Sequence, residues 1–179
     1  MYSIEAWVAG VVVSGLLLSG AVAHDFGRPA TTDEIKLWDI DVRPDGSGLP
    51  DGSGTVARGA AVYDDNCAAC HGPNGQGGIK DRLVGGQGTL ASNNPIKTVG
   101  SYWPYATILF DYTRRAMPYP LPASLSDDDT YALVAYVLSL NGIVPEGATL
   151  DKESLPRIAM PNRGGFIPEP EFRNITNSR

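Results

Sequence analysis

Apolar residues recur at helical spacing in three stretches of the chain, and each stretch predicts one α-helix. In the first, "TVARGAAVYDDNCAAC", apolar positions three and four residues apart lead directly into two cysteines. Gly59 lies inside this stretch, and a glycine within a helix costs on the order of 1 kcal/mol relative to alanine. We therefore expect another helix to approach closely at Gly59, where Tyr63 would pack against Tyr136 of the last helix.

The second stretch, "SYWPYATILFDYTRRAM", predicts a helix that begins near Trp103 and Pro104. Proline is favoured at the first helical position because its missing amide hydrogen would have no partner there. One side of this helix is expected to face the core, and it carries Ile108, Leu109 and Tyr112.

The third stretch, "SLSDDDTYALVAYVLSLNG", has the clearest boundaries. Ser126 is the predicted N-cap, and Asp129 completes a capping-box-like S-x-x-D with acidic residues at the positive end of the helix dipole. Gly142 is the predicted stop. The stripe expected to face the core contains Tyr131, Val134 and Leu138.

Two segments without apolar periodicity flank this predicted core of residues 54–142. Residues 24–53 end in "RPDGSGLPDGSG" and predict an extended N-terminal arm, whereas residues 143–179 form a proline-rich C-terminal extension. Within the arm, "TTDEIKLWDI" predicts one short helical turn capped by Thr31 or Thr32. Its expected anchors are Ile35, Leu37, Trp38 and Ile40. The sequence leaves open whether the two segments wrap the core or lie on a partner.

An uncharged apolar run at residues 6–23 ends in Ala-Val-Ala, the small-x-small pattern of a secretory cleavage site. It predicts a signal peptide at residues 1–23 and places the rest of the chain outside the cytoplasm, in the periplasm. The stretch before the run contains Glu5 and no lysine or arginine, unlike the positive start of most export signals. Retention of residues 6–23 as a membrane anchor is therefore the alternative.

Charge and composition mainly exclude classes of function and limit the amount of regular structure. The 179-residue chain has a formal net charge of −6 and no cluster of lysine and arginine, so nothing favours nucleic-acid binding. Its 21 glycines and 14 prolines are numerous, which concentrates regular structure in a few helices. The predicted organisation is one domain with extensions.

The stretch "CAACH" uses the only two cysteines of the chain beside one of its two histidines. C-x-x-C-H is the attachment motif of c-type haem: Cys67 and Cys70 would form thioethers with the porphyrin, and His71 would bind the iron. A zinc site would need a fourth ligand, for which only His24 or carboxylates remain. A redox dithiol would need a βαβ setting, which the sequence lacks, and it gives the histidine no role. A structural disulfide is possible in an exported protein. One covalent haem is the favoured interpretation.

A six-coordinate haem requires a second axial ligand, and Met117, Met160 and His24 are the candidates. Met117 follows the second predicted helix in "RRAMPYP", where two nearby prolines favour an extended loop, and it is the favoured ligand. In the alternative, Met117 fills the core and Met160 binds the iron. Leu83 and Val84, in the glycine-rich segment after the motif, are candidates for lining the bound group.

Arg114 and Arg115 precede the favoured methionine, and two interpretations of them stay open. They would pair with a haem propionate or an acidic partner, or they are solvated residues that the helix dipole favours at a C-terminus. Asp127, Asp128 and Asp129 are interpreted as acids that match the dipole of the last helix, in preference to a partner-binding patch.

These features together resemble class I cytochromes c: G-x-x-x-Y before C-A-A-C-H-G, a Met-Pro loop and a capped last helix. Longer blocks resemble the cytochrome c subunits of bacterial sulfite and sulfane dehydrogenases; they are "GRPATTDEIKLWDIDVRPDGSGLP", "KTVGSYWPYATILFDYTRRAMP", "LSDDDTYALVAYVLSLNGIV" and "LPRIAMPNRGGF". The resemblance implies an all-α class I cytochrome c fold with extended N- and C-terminal arms. It also implies one haem c and electron transfer in sulfur oxidation.

The resemblance further implies a non-catalytic subunit that accepts electrons from a periplasmic molybdopterin sulfite-type dehydrogenase and passes them to a downstream cytochrome c or oxidase. Sulfane dehydrogenase cytochromes can carry two haem domains, whereas this chain has one C-x-x-C-H motif, which favours the sulfite-dehydrogenase-like version. A free-standing carrier or a subunit of another dehydrogenase is the alternative. A haem sensor or peroxidase with an open iron site is a third hypothesis, against which Met117 argues.

Overall fold

A computed structural model describes residues 27–167 of the chain. The predicted export segment at residues 1–23 and His24 lie outside the described residues, as do residues 168–179. The described chain divides into two units, residues 27–39 and residues 40–167. Within this range, no helix is both long enough and apolar enough to cross a bilayer.

The first unit contains one short helix, α1 (Thr32–Trp38), which is held by its N-terminal cap. The Thr31 hydroxyl accepts a hydrogen bond from the Glu34 amide at 3.3 Å, and the Glu34 carboxylate accepts one from the Thr31 amide at 2.8 Å. This reciprocal pair is a complete capping box. Arg28 forms an ion pair with the same carboxylate. The predicted helical turn and the first of its two candidate caps are confirmed.

The apolar residues of α1 are exposed. No residue of the helix is buried, and Ile35, Leu37, Trp38 and the following Ile40 are all exposed. The expectation that these side chains act as anchors stays a prediction. A helix of seven residues is too short to be stable by backbone hydrogen bonding alone, so its N-terminal cap contributes to its stability.

The second unit contains the three predicted helices and additional short elements. In chain order, the elements are β1 (Ser53–Thr55), α2 (Val56–Asn66), α3 (Ala68–His71), α4 (Ala106–Ala116), α5 (Asp127–Leu140), β2 (Thr149–Asp151) and a 3-10 turn (Leu155–Arg157). Helices α2, α4 and α5 contribute to one hydrophobic core. Helix α5 has the most buried positions of the three.

Helices α2 and α5 cross at the position that the sequence predicts. A Cβ atom at Gly59 would lie 1.9 Å from the Ala132 carbonyl oxygen, so this approach requires glycine. The rings of Tyr63 and Tyr136 pack near the crossing, with their centroids 5.3 Å apart. The predicted contact between the first and last helices of this core is confirmed.

Helix α4 differs from the prediction at its start and on its inner face. Its N-cap is Tyr105, so Pro104 precedes the helix and does not occupy the first helical position. The buried positions are Ala106, Thr107, Leu109, Phe110, Asp111 and Thr113. Tyr112, predicted to face inward, is 48% exposed. Polar residues are buried because the chain before β1 covers them: Thr107 donates to the Pro44 carbonyl at 3.2 Å.

Helix α5 begins and ends close to its predicted caps. The Ser126 hydroxyl accepts a hydrogen bond from the Asp129 amide at 3.1 Å, and Gly142, with a φ of 68°, follows the C-cap Asn141. The predicted capping box is only half formed, because the Asp129 carboxylate pairs with Arg58. The predicted core stripe of Tyr131, Val134 and Leu138 is buried.

The segments on either side of the helices pack against them. Strands β1 and β2 pair antiparallel, with Gly54 opposite Leu150. On the N-terminal side, the Val42 amide donates to the Asp111 carboxylate at 2.9 Å. On the C-terminal side, four apolar residues enter the core: Val144, Leu150, Leu155 and Met160. Residues 40–53 and 143–167 therefore wrap the helices, a question that the sequence left open.

Candidate haem site

The two cysteines lie at the junction of α2 and α3. Cys67 is the C-cap of α2, and its φ of −125° interrupts the helix before the single turn of α3. The amides of Cys70 and His71 both donate to the Cys67 carbonyl, at 3.1 and 2.9 Å. Residues three apart on a helical turn share a face, so Cys67 and Cys70 offer their thiols on one side. Both thiols are free and partly buried.

The environment of the thiols fits covalent attachment better than thiolate chemistry. Burial, followed by the charge of the nearby Cys70, raises the pKa of Cys67 to about 11. Thiols that bind zinc or exchange disulfides react as thiolates and have lowered pKa values, whereas this thiol is neutral at pH 7. Cys67 and Ala68 also pack against the hydrophobic core, a setting suited to an apolar macrocycle.

His71 ends α3, and a main-chain oxygen orients its ring. Nδ1 lies 2.7 Å from the Asp81 carbonyl oxygen. A carbonyl oxygen only accepts hydrogen bonds, so Nδ1 carries the ring proton and the lone pair of Nε2 is left to bind a metal. This tautomer is the one that an axial histidine ligand requires.

The loop after the histidine folds back onto the motif. The Lys80 amide donates to the Cys70 carbonyl at 2.9 Å, and the Leu83 amide donates to the Gly75 carbonyl at 2.8 Å. These bonds fix the backbone on both sides of Asp81. The carbonyl that orients the imidazole is therefore part of an ordered turn.

Met117 is the C-cap of α4 and begins the loop that follows it. Its backbone is extended, with φ −120° and ψ 148°, and its amide donates to the Thr113 carbonyl at 3.0 Å. In the same loop, the ring of Tyr119 stacks with Lys80, whose Nζ lies 5.7 Å from the ring centroid. The loop after Met117 and the loop after His71 therefore meet on one side of the molecule.

Met160, the alternative ligand, has a different environment. It is 4% exposed and belongs to the hydrophobic core, together with Leu155 of the 3-10 turn. An enclosed methionine of this kind fills the gaps of a core. Met117 is only partly buried and lies at a helix end.

The two predicted lining residues lie in the loop that follows the motif. Leu83 is partly buried and packs against the core. Val84 is packed so closely against Gly75 that a Cβ atom there would lie 2.6 Å from its Cγ2. Two thiols and an oriented imidazole form a donor set that fits a covalently bound haem.

The two arginines before Met117 are paired within the chain. Arg114 Nε lies 2.7 Å from Asp127 Oδ1, which joins the end of α4 to the start of α5. Arg115 pairs with Asp111 on its own helix and lies 3.6 Å from Asp41. Asp127, in the acidic run at the start of α5, is therefore paired within the chain. Both arginines have a structural role that the sequence interpretation did not include.

A family model described as cytochrome c matches residues 56–141. The crystal structure of the sulfane dehydrogenase SoxCD from Paracoccus pantotrophus contains a chain with 42% sequence identity and a TM-score of 0.77, and the alignment covers 87% of this chain and 78% of that chain.

Two curated proteins match a smaller part of the chain. The CcoP subunit of the cbb3-type cytochrome c oxidase from Azospirillum sp. (strain B510) is 38% identical over 96 residues, which are 50% of this chain and 30% of that protein. The CcoP subunit from Azospirillum brasilense is 36% identical over 91 residues, 48% of this chain and 28% of that protein. The chain thus spans less than a third of the length of these curated relatives.

The fold and the site define a class I cytochrome c domain, and the chain belongs to the cytochrome c family. It is an electron-transfer cytochrome that binds one haem c covalently, since it contains one C-x-x-C-H motif. Within the family, it is similar to the matched chain of the SoxCD sulfane dehydrogenase. The predicted fold class and cofactor are confirmed.

Sequence reasoning missed two groups that shape the site. The Asp81 carbonyl is a backbone atom, so no side-chain pattern identifies it as the partner of His71. Asn141 binds the loop after the motif across 58 residues of chain, and its only signal in the sequence is its position before Gly142 at a helix end.

Proposed function

We propose that this cytochrome is the non-catalytic electron-transfer subunit of a molybdopterin sulfite-type dehydrogenase, acting in sulfur oxidation. The observation that carries the proposal is the 42% identity to a chain of the sulfane dehydrogenase SoxCD, over 87% of this chain. The cytochrome c family model spans only about half of the chain, so the similarity includes much of the flanking segments. The electrons would pass on to a downstream cytochrome c or an oxidase.

The proposed site residues are those of the haem motif and its partner loop. Cys67 and Cys70 form the thioethers, and His71 and Met117 are the axial ligands of the iron. The two partly buried thiols and the orientation that the Asp81 carbonyl gives the imidazole support the first three assignments. The partly exposed position of Met117 at the end of α4, in contrast to the enclosed Met160, supports the fourth.

The haem supplies one-electron exchange between its ferrous and ferric states. The protein orients His71 through the Asp81 carbonyl, and the core around Cys67 and Leu83 excludes water. A thioether ligand such as Met117 favours the reduced state and raises the reduction potential. The roles of the chain are therefore to hold the cofactor and tune its potential.

The proposed location is the periplasm, and it rests on the apolar run at residues 6–23 and its small-x-small end. Cleavage after residue 23 releases a soluble subunit, whereas retention of the run anchors it in the membrane. Mass spectrometry of the purified native protein distinguishes the two forms, because the mature N-terminus is His24 only if cleavage occurs.

Similarity to the CcoP oxidase subunits favours a second candidate function. In that case the cytochrome would deliver electrons to a terminal oxidase without a dedicated dehydrogenase, as a free-standing carrier or as the subunit of another enzyme. These matches cover about half of the chain. They are little longer than the cytochrome domain at residues 56–141, so the first proposal accounts for more of the sequence.

Purification of the tagged cytochrome from its native periplasm tests the proposal. We expect a molybdopterin subunit to co-purify, and sulfite or sulfane sulfur to reduce the haem in the complex. A cytochrome that purifies alone, and that such a substrate does not reduce in the periplasmic extract, would favour the free carrier. If a different dehydrogenase co-purifies, the proposed partner is wrong, but the role as an electron-transfer subunit stands.

Carbon monoxide binding tests the sensor or peroxidase hypothesis. We expect the reduced protein to resist carbon monoxide, because a bound Met117 occupies the sixth position of the iron. Rapid formation of a carbon monoxide adduct at neutral pH would indicate an open iron site.

A further inference from the structure

Asn141, the C-cap of α5, forms hydrogen bonds to the loop that orients His71. Its Oδ1 accepts a hydrogen bond from the Gly85 amide at 3.1 Å, and its Nδ2 donates to the Leu83 carbonyl at 3.2 Å. The two bonds bracket Val84, so one side-chain amide holds both flanking peptide groups. We refer to these two bonds as the Asn141 clamp.

The clamp has a fixed orientation. Nδ2 also donates to the Val137 carbonyl, one helical turn earlier, at 2.9 Å, so both amide hydrogens are used. Gly100 packs against the oxygen so closely that a Cβ atom there would lie 2.1 Å from Oδ1. The side chain therefore fixes the position of the loop relative to helix α5, most of which is buried.

The clamped segment lies two residues beyond Asp81. The Leu83 and Val84 amides both donate to the Gly75 carbonyl, at 2.8 and 3.1 Å, and the Lys80 amide is bonded to the Cys70 carbonyl. Asp81 lies between these attachment points, and its carbonyl accepts the Nδ1 proton of His71. Hydrogen bonds at both ends and the backbone of residues 81–83 between them thus connect Asn141 to the imidazole.

We propose that Asn141 is a positioning residue that sets the strength of the His71 Nδ1 hydrogen bond and, through it, the reduction potential of the haem. The inference rests on the proposed ligation of the iron by His71. A short hydrogen bond at Nδ1 makes the imidazole a stronger donor and stabilises the ferric state. Release of the loop lengthens this bond, and the potential rises.

Two substitutions in the haem-loaded protein test the proposal. Asn141→Leu removes the whole clamp, whereas Asn141→Asp keeps the acceptor for the Gly85 amide and loses the donor to Leu83. We expect a positive shift of the midpoint potential in Asn141→Leu. In Asn141→Asp the added negative charge would itself lower the potential, so proton exchange is the readout for that variant. Because a lost hydrogen bond changes an equilibrium by about tenfold, we expect the His71 Nδ1 proton of the reduced protein to exchange about tenfold faster by NMR.

Two control variants separate positioning from general stability. Leu150→Ala truncates a buried residue of β2, and it should destabilise the fold while both readouts keep their wild-type values. Gln87→Ala removes the bond from the Gln87 side chain to the main-chain oxygen of Asn141, at 3.3 Å, and leaves the clamp intact. It should match the wild type in potential and exchange.

A wild-type potential in Asn141→Leu and wild-type exchange in both Asn141 variants would overturn the proposal and make the residue purely structural. If Asn141→Leu does not retain haem, Asn141→Asp decides the question. The NMR spectrum of the wild-type protein tests the assumed ligation by His71 separately. An Nδ1 proton without an iron-induced shift would refute ligation by His71 itself, independently of Asn141.

Discussion

Gly59 is the residue at which the first and last helices of the cytochrome domain touch, and the contact leaves no space for a side chain. In Gly59→Ala, the new Cβ atom would lie 1.9 Å from the Ala132 carbonyl oxygen, so the helices must separate. We expect a loss of about 2–3 kcal/mol in the free energy of unfolding, despite the better helix propensity of alanine. Denaturant unfolding measures it.

Gly147→Ala is the matched control, because no atom lies within 4 Å of a Cβ atom built at that position. We expect its stability to stay within about 0.5 kcal/mol of the wild type. Equal stability of the two alanine variants would contradict the close approach of α2 and α5.

The two methionines of the described cytochrome domain and its extension are distinguished by a matched pair of substitutions. In Met117→Leu, the thioether is lost, so the sulfur-to-iron charge-transfer band of the oxidised protein should disappear. In Met160→Leu, the band should persist, because the side chain fills the core and a volume-conserving exchange costs less than about 1.5 kcal/mol. The opposite result would assign the iron to Met160.

The ion pair between Arg58 and Asp129 predicts a pH dependence of stability. The Arg58 hydrogen bond lowers the pKa of Asp129 below its ordinary value of 3.8. The pair therefore stabilises the fold above that value, and the contribution is lost as the pH falls through the lower pKa of the folded state. Arg58 is largely exposed, so we expect Asp129→Asn to cost only about 0.5 kcal/mol at pH 7.

The cost of Asp129→Asn should shrink towards zero as the pH falls through the lowered pKa of the folded state, where the wild-type carboxylate is also becoming protonated. Denaturant unfolding at a series of pH values measures the difference. A cost that is constant from neutral to acidic pH would argue against a charge-based contact.

At the scale of elements, α1 combines a well-formed cap with an unburied apolar surface. Leu37 and Trp38 are 76% and 83% exposed, although large apolar side chains are normally buried. If the proposed dehydrogenase complex forms, these side chains are the strongest candidates for partner contacts, because the similarity to the SoxCD chain extends far outside residues 56–141.

Replacing both Leu37 and Trp38 with serine should weaken binding to the dehydrogenase subunit at least about tenfold, since interfacial aromatic anchors are worth 1.4 kcal/mol or more. Calorimetry with the separated subunits gives the dissociation constant. Ile167→Ser, at a residue that is 84% exposed, is the control. An unchanged dissociation constant in the double variant would exclude α1 from the interface.

Sequence reasoning succeeded where the residues that determine a feature lie close to it in the chain, and it failed where they are distant. Helix α5 was predicted nearly to its ends because Ser126 and Gly142 act on adjacent backbone groups. The start of α4 was misjudged because Pro104 lies in the turn before the N-cap. The three-residue strands are too short to show alternation, and they form only because residues distant in the chain meet.

The same argument applies to the site. C-x-x-C-H is local and identifies its chemistry directly, and a Met-Pro loop after a helix identifies the favoured second ligand. The partners that orient these groups are distant in the chain or belong to the backbone, as with Asn141 and the Asp81 carbonyl. Neither leaves a pattern in a single sequence.

At the scale of the whole molecule, residues 143–167 of the C-terminal extension are part of the folded cytochrome unit. Leu155 is fully buried and belongs to the same core as the helices, although it lies outside residues 56–141. We expect Leu155→Ala to lower the free energy of unfolding by about 2–5 kcal/mol. We also expect far-UV circular dichroism and haem absorbance to report one coincident transition, because core and extension share one set of contacts.

Leu121→Ala is the matched control, since Leu121 is 65% exposed and its truncation should change stability by no more than about 0.5 kcal/mol. Two separate transitions in the Leu155 variant, with the haem absorbance unchanged in the first, would mean that the extension unfolds independently. A single transition at lower denaturant concentration would mean that the haem environment depends on residues far outside the motif that binds the haem.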